Sequence, residues 1–314
     1  KVAMKILIEL STWLGDSVMS TPAIENIVNH YNDPYITLIG STISIEALKN
    51  HPKVVKTEVL KKGYISLYKT AKNLGKFDAF FSFRSSLRSN FLKFFVVSKN
   101  KYQFNKNIYK NRHQVEKYND FINESINLKK PAGELILHKE AFNLANQNRI
   151  LGINPGASYG SAKRWYPEEF AAVAAELSHK YDIYIFGGPE EQSIAFDIER
   201  LLVKMGITNF KNLSGKTTIT EVIQHISQLD LFITGDSGPM HVAASFKVPT
   251  IAIFGPTKDK ETSQWMNDKS INLKKTLDCQ PCMQRTCPLG HHKCMKLIKA
   301  ADVLDAVESF YIEA

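Results

Sequence analysis

The chain has 314 residues, 44% of them hydrophobic, the composition of a soluble enzyme able to bury two ordinary cores. No apolar run approaches the roughly 20 residues that a membrane-spanning helix needs, and the densest, Phe91 to Val97, is far too short. The formal net charge of +9 sits entirely in the first half: residues 1–148 hold 22 Lys and Arg against 12 Asp and Glu, and the remainder holds 18 against 19.

In chain order, strand-like runs are expected at 5–10, 35–39, 54–59, 78–83, 94–98, 150–154, 182–186, 230–234 and 250–254. Helical patterns lie between most of them, among them 167–180, 190–205, 219–228 and 239–246. Such alternation predicts an α/β protein with parallel sheets and crossover helices. Residues 125–148 are irregular and polar, with Pro131-Ala132-Gly133, and read as the link between two domains, 1–148 and 149–314. No export signal precedes the first strand and Met4 reads as the natural start, which points to the cytoplasm and reduced thiols.

Three strand–loop–helix segments hold the candidate chemistry. Lys5 to Leu10 is a strand, Ser11 to Ser17 a loop, and Asp16 stands near the start of the helix that follows. Ile150 to Pro155 is a buried strand. It is followed by the small-residue loop Gly156 to Trp165, which contains Lys163 and Arg164, and by a helix opened by Pro167-Glu168-Glu169. That order cradles a phosphate, although no Gly-Lys-Ser/Thr closes the loop as in a Walker motif. Leu231-Phe232-Ile233, then Thr234-Gly235-Asp236-Ser237-Gly238-Pro239-Met240-His241, then Val248 to Thr257 form a third unit. It offers helix N-terminal N–H groups beside a carboxylate and a hydroxyl, an anion and ribose site in outline. The competing reading is local: Asp16, Asp236 and Ser237 as helix caps, Lys163 and Arg164 as solvated surface cations.

Between Asp78 and Glu116 there is no acid, while Arg84, Arg88, Lys93, Lys99, Lys101, Lys106, Lys110 and Arg112 fall in the interval. A basic face beside Phe and Tyr suits an anionic partner: a phosphorylated glycolipid, a membrane surface or nucleic acid.

Leu14-Gly15-Asp16, Asn154-Pro155-Gly156-Ala157 with Lys163-Arg164-Trp165, and Asp236-Ser237-Gly238 with His241 and Phe254-Gly255-Pro256-Thr257 occur in that order across nearly the whole chain. Together they resemble the lipopolysaccharide heptosyltransferases of glycosyltransferase family 9. The block from Cys279-Gln280-Pro281-Cys282 to Cys287-Pro288-Leu289-Gly290-His291 is similar to the branch that adds the second inner-core heptose. The resemblance implies a GT-B architecture: two Rossmann-like domains facing across the cleft that holds the active site, an N-terminal acceptor domain and a C-terminal nucleotide-sugar domain. In that architecture the last helix, about 301–313, packs back on the first domain.

The activity it implies is inverting, metal-independent transfer of heptose from ADP-heptose to an anionic Kdo-lipid A inner-core acceptor, with no cofactor and no nucleic acid. Contact with the inner face of the cytoplasmic membrane is peripheral. Asp16 matches the family's base and Lys163 its diphosphate lysine. Ser158, Ser237 and Gly238 fall on the phosphates, His241 on the diphosphate or the loop it holds, Asp236 on the heptose or the loop, and Glu190 or Glu191 on the ribose. Thr217 is a further donor-side residue, and Arg84, Arg88 and Arg112 fall to the acceptor.

Cys279, Cys282, Cys287 and Cys294, with His291 and His292 among them, could hold zinc, but only one Cys-x-x-Cys knuckle is present. A compact loop with packed or free thiols is the simpler expectation, and no metal is assigned. Two other functions compete. One is a related transferase with another donor or acceptor, such as the enzyme adding the first heptose or a protein heptosyltransferase. The other is a non-catalytic module binding metal or nucleic acid, which leaves the ordering of Asp16, Lys163 and Asp236 unexplained.

Overall fold

The computed structural model describes residues 3–312, which fall into two compact units divided between Glu140 and Ala141. The division lies slightly before the expected 148/149 border, because the irregular segment from 127 is shared between them.

The first unit is built on strands β1 (Lys5–Glu9), β2 (Tyr35–Gly40), β3 (Val54–Val59), β4 (Lys76–Ser82) and β5 (Val97–Gln103), all parallel, in the order β3-β2-β1-β4-β5. Helices Leu14–Met19, Thr21–Tyr31, Thr42–Leu48, Tyr64–Asn73, Leu87–Phe95 and Gln114–Ile126 complete it. The second unit carries β6 (Arg149–Asn154), β7 (Tyr181–Ile185), β8 (Phe210–Asn212), β9 (Leu231–Gly235), β10 (Thr250–Ile253) and β11 (Ser270–Leu273), again parallel, in the order β11-β10-β9-β6-β7-β8. Its helices are Pro167–Leu177, Gln192–Lys204, Ile219–Ile226, Gly238–Ser245, the single turns Asp259–Thr262 and Lys293–Lys296, and Ala300–Ile312.

The central strands β1, β6 and β9 are apolar and buried through their middles because helices cover both faces of a parallel sheet. The edge strands β3, β5 and β11 are polar or half-exposed. Each sheet reverses its winding once, between β1 and β4 and between β6 and β9. The loops leaving those strands therefore diverge and open a crevice at their carboxyl ends.

One sequence expectation changes. The strand placed at 94–98 is mostly the end of helix Leu87–Phe95, and β5 begins at Val97. Ser86 decides it: its hydroxyl accepts from Ser89 N–H at 3.1 Å and starts the helix, so the apolar run Phe91 to Val96 completes that helix. The last helix buries Val303, Ala306 and Val307 in the second unit's core, beside Pro167–Leu177, β10 and β11. β8 and β11 were missed because both are very short edge strands.

Two half-buried histidines set a pH dependence. Burial holds His138 and His225 below the ordinary 6.5. His138 faces His51, which opposes its protonation, and Glu25; His225 faces Glu221 and Lys211. Both stay neutral in the fold while the unfolded chain takes up protons below 6.5, so stability falls as pH drops from above 6.5 through the folded values. The thermal midpoint is expected to fall between about pH 7.5 and 5.5. The double variant His138→Gln/His225→Gln should flatten that slope; an unchanged slope would assign the acid sensitivity elsewhere.

Candidate active site

In the first unit, β1 ends in Glu9 and the chain turns through Ser11 and Trp13 into helix Leu14–Met19. Asp16 is the third residue of that helix, so it is not the cap; the capping position is Trp13, which makes no side-chain capping bond. Tyr118, from helix Gln114–Ile126, donates its hydroxyl to Asp16 Oδ1 at 3.3 Å. Burial, then the charge of Asp16, raises the Tyr118 pKa well above its usual range, so the proton stays on the phenol. The Ser11 hydroxyl lies 3.2 Å from the same phenol oxygen and supplies its hydrogen there. A half-buried carboxylate thus stands at the switch point of the first sheet, oriented by a buried phenol.

The end of β1 itself carries a second acid the sequence reading did not single out. Glu9 is only 1% exposed. It accepts from Ser82 Oγ at 2.5 Å and Ser89 Oγ at 3.0 Å, and burial raises its pKa against the opposing pull of Arg84 and Arg88. Arg84 and Arg88 therefore gather near the end of β4, and Arg88 also donates to the Lys61 carbonyl at 2.5 Å. Arg112 is engaged with acids of helix Gln114–Ile126, 2.9 Å from Asp120 and 3.3 Å from Glu116.

In the second unit, the loop after β6 and the turn after β9 meet at the other switch point. Lys163 Nζ lies 2.6 Å from Asp236 Oδ2, with side chains only 13% and 5% exposed, so the pair is shielded from water. The Thr257 hydroxyl donates to the same Oδ2 at 2.7 Å. The Tyr159 ring lies beneath the Lys163 ammonium, 4.5 Å to the centroid, with the Arg285 guanidinium 5.4 Å from the same ring. Asp236 is therefore no helix cap and Lys163 no solvated surface cation. Ser237 occupies the cap position of helix Gly238–Ser245 but sends its hydroxyl to Thr234 Oγ1 at 3.0 Å and receives Asn154 Nδ2 at 3.3 Å. No side chain caps that first turn, which opens with Gly238. His241 is buried one turn further on.

Gly156 leaves the room that the Glu191 carboxylate occupies: a Cβ there would come 2.1 Å from its carboxyl carbon and displace it. Glu191 also accepts from Gly188 N–H at 2.9 Å, so it ties the loop after β7 to the start of the β6 loop and leaves Glu190 as the exposed acid. Ser158 is exposed on that β6 loop. Thr217 lies on the loop after β8, half-buried, just before Thr218 caps the next helix.

The loop's outer side rests on residues far downstream. Ala162 N–H donates to the Arg285 carbonyl at 3.0 Å and the Tyr159 hydroxyl to the Met283 carbonyl at 2.7 Å. His292 bridges the Tyr166 hydroxyl, 2.8 Å, and the Ala162 carbonyl, 2.9 Å. Gly160 has φ +152°, and a Cβ there would strike the Arg285 carbonyl oxygen at 2.3 Å.

Glu25, His51 and His138 offer three ligand atoms within 4.8 Å of one another. They do not suit a metal. His51 Nδ1 accepts from Lys53 N–H at 3.0 Å, which puts the ring proton on Nε2, the atom 2.7 Å from Glu25.

Comparison with known proteins fixes the family. The model for glycosyltransferase family 9 (heptosyltransferase) matches residues 75–293. The chain belongs to glycosyltransferase family 9. It is 44% identical to lipooligosaccharide heptosyltransferase 2 of Campylobacter jejuni subsp. jejuni serotype O:2 over 98% of both chains, and 28% identical to that of Haemophilus ducreyi over 82% of this chain and 85% of the relative. Among solved structures, ADP-heptose LPS heptosyltransferase II of Escherichia coli superposes with a TM-score of 0.83 at 20% identity, covering 99% of this chain and 100% of that one. A family 9 glycosyl transferase of Veillonella parvula gives 0.81 at 22% identity, covering 99% and 98%. The family 9 chain is thus a glycosyltransferase of the heptosyltransferase type with the GT-B fold. Among its described residues no helix is long and apolar enough to cross a membrane.

Proposed function

We propose that this family 9 enzyme moves L-glycero-D-manno-heptose from ADP-heptose to the first heptose of the lipopolysaccharide or lipooligosaccharide inner core, with inversion and without a metal in the chemical step. The observation that carries the reading is the shielded Lys163 at the switch point of one sheet, with Asp16 at that of the other. In this reading the Asp16 carboxylate takes the proton of the acceptor hydroxyl as that oxygen attacks the anomeric carbon opposite the departing ADP. The Tyr118 phenol holds the carboxylate in place. Lys163 and the N–H groups at the start of helix Gly238–Ser245 take up the charge that develops on the diphosphate. Asp236, held by Thr257, is then released from Lys163 to meet the sugar hydroxyls, and Arg84 and Arg88 serve the anionic acceptor.

The deciding experiment measures ADP release by the purified chain given ADP-L-glycero-D-manno-heptose, with and without mono-heptosylated Kdo-lipid A. Release that depends on that acceptor supports the reading. Release on unheptosylated Kdo-lipid A would move the enzyme to the first heptose, and folded protein inert with every heptosyl acceptor would overturn the donor.

The acceptor side also has a face suited to a lipid surface. Helices Tyr64–Asn73 and Leu87–Phe95 pack side by side through the ring pairs Tyr64–Phe91 and Tyr68–Phe95. They leave Ile65 75%, Leu87 83% and Phe94 77% exposed, among Lys61, Lys62, Lys69, Lys72 and Lys93. Apolar tips among lysines match an anionic bilayer surface. The chain is expected to float with phosphatidylglycerol-containing vesicles at low salt. Leu87→Ser/Phe94→Ser should cut binding by about tenfold or more; undiminished flotation would reject this face.

A further inference from the structure

The segment between β11 and helix Lys293–Lys296, residues 274–292, contains no helix or strand. Uninterrupted irregular chain of this length needs something to hold it. Apolar burial holds only its start, where Leu277 packs on the core: Met283 is 45% and Leu289 61% exposed, and charged or polar residues fill most of the rest. Yet the segment carries the backbone carbonyls on which the Lys163 loop rests, so its position matters to the site.

What the segment does bring together is sulfur. Cys279, Cys282, Cys287 and Cys294 line a single open pocket with His291, His292 and Pro256. No disulfide joins them. Cys294 is buried, fixed by the helix Lys293–Lys296 that follows the segment, and packed against Gly255, where a Cβ would come 3.2 Å from its sulfur. Cys287 sits in a tight turn that directs backbone N–H groups at its sulfur, with His292 N at 3.4 Å. N–H groups aimed at sulfur stabilise thiolate, the form that binds metal. Four free thiols thus crowd one pocket.

We propose that Cys279, Cys282, Cys287 and Cys294 form a tetrathiolate site for one divalent cation of zinc or ferrous-iron type, which pins residues 274–292 and through them the Lys163 loop. Four thiolates in tetrahedral array select that class of ion. Among the described residues no three of the sulfurs lie within 4.8 Å of one another, so the ion draws them inward as each thiol gives up its proton. The role is structural. His292 stays with Tyr166 and Ala162, and the ion takes no part in the transfer.

The test uses the full chain, purified without metal-affinity chromatography, under reductant and without chelator. Elemental analysis should find about one zinc or iron per chain, and which metal is present identifies the ion. Stripping and refilling with cobalt should produce the thiolate-to-cobalt charge-transfer band and intense visible bands of a tetrahedral sulfur site. Cys282→Ser and Cys287→Ser should each lose most of the metal, and the cobalt spectrum of the unmutated chain keeps the question open to decision if they fail to fold. Stripping should also speed proteolytic nicking within 274–292 severalfold. Folded, metal-free protein whose four thiols all titrate, disulfides found by mass spectrometry under native conditions, or full metal retention in both serine variants would each overturn the proposal.

Discussion

Asp16→Asn is expected to abolish transfer while leaving the chain folded and able to bind ADP. Asparagine preserves the shape and can still accept from Tyr118, so the bond at 3.3 Å survives and only basicity is lost. A positioned general base contributes about 10²–10⁴ in rate, and kcat should fall in that range with little change in donor KM. Tyr118→Phe removes the phenol but leaves the carboxylate, so it should give a smaller loss. The measurement is acceptor-dependent ADP release beside ADP binding by calorimetry. A kcat within a few fold of the unmutated chain would remove Asp16 from the proton transfer; lost ADP binding would make it structural.

Lys163→Ala is expected to act on two properties at once. It removes the cation proposed to stabilise the leaving diphosphate, a loss of the order of 10²–10³ in kcat. It also leaves Asp236, only 5% exposed, without its counter-ion. Breaking a buried pair by deleting one partner costs about 3–5 kcal/mol. Lys163→Ala/Asp236→Ala deletes both charges and should recover much of that stability without recovering activity. Comparing thermal midpoints with kcat for the single and double variants separates the two effects. Equal stability in both would mean that water already screens the pair.

How far the sequence was legible follows from the range of each signal. Strands β1, β6 and β9 were readable because both faces are buried and their middles are continuous apolar runs, whereas β8 and β11 are too short and too polar to stand out from loop. Asp16, Lys163 and Asp236 could be found because each sits in a strand–loop–helix unit whose parts are adjacent in sequence. Their partners could not. Tyr118 lies 102 residues from Asp16, and Thr257 lies 21 residues beyond Asp236 in a motif noticed without a role. Glu9 was hidden because an acid at a strand end ordinarily reads as solvated, and only the sheet brings Ser82 beside it. Arg112 looked like its neighbours in the acid-free interval until helix Gln114–Ile126 presented it with Glu116 and Asp120.

The dependence of the Lys163 loop on Met283, Arg285 and His292 constrains anyone who would rebuild this enzyme. A chimera that exchanges residues 150–260 for those of a relative carries the whole phosphate motif but separates it from the chain that shapes it. Donor preference should therefore travel as a discontinuous block, with 275–298 transplanted together with 150–190, and libraries that vary the first stretch alone will mostly sample misfitted pairs.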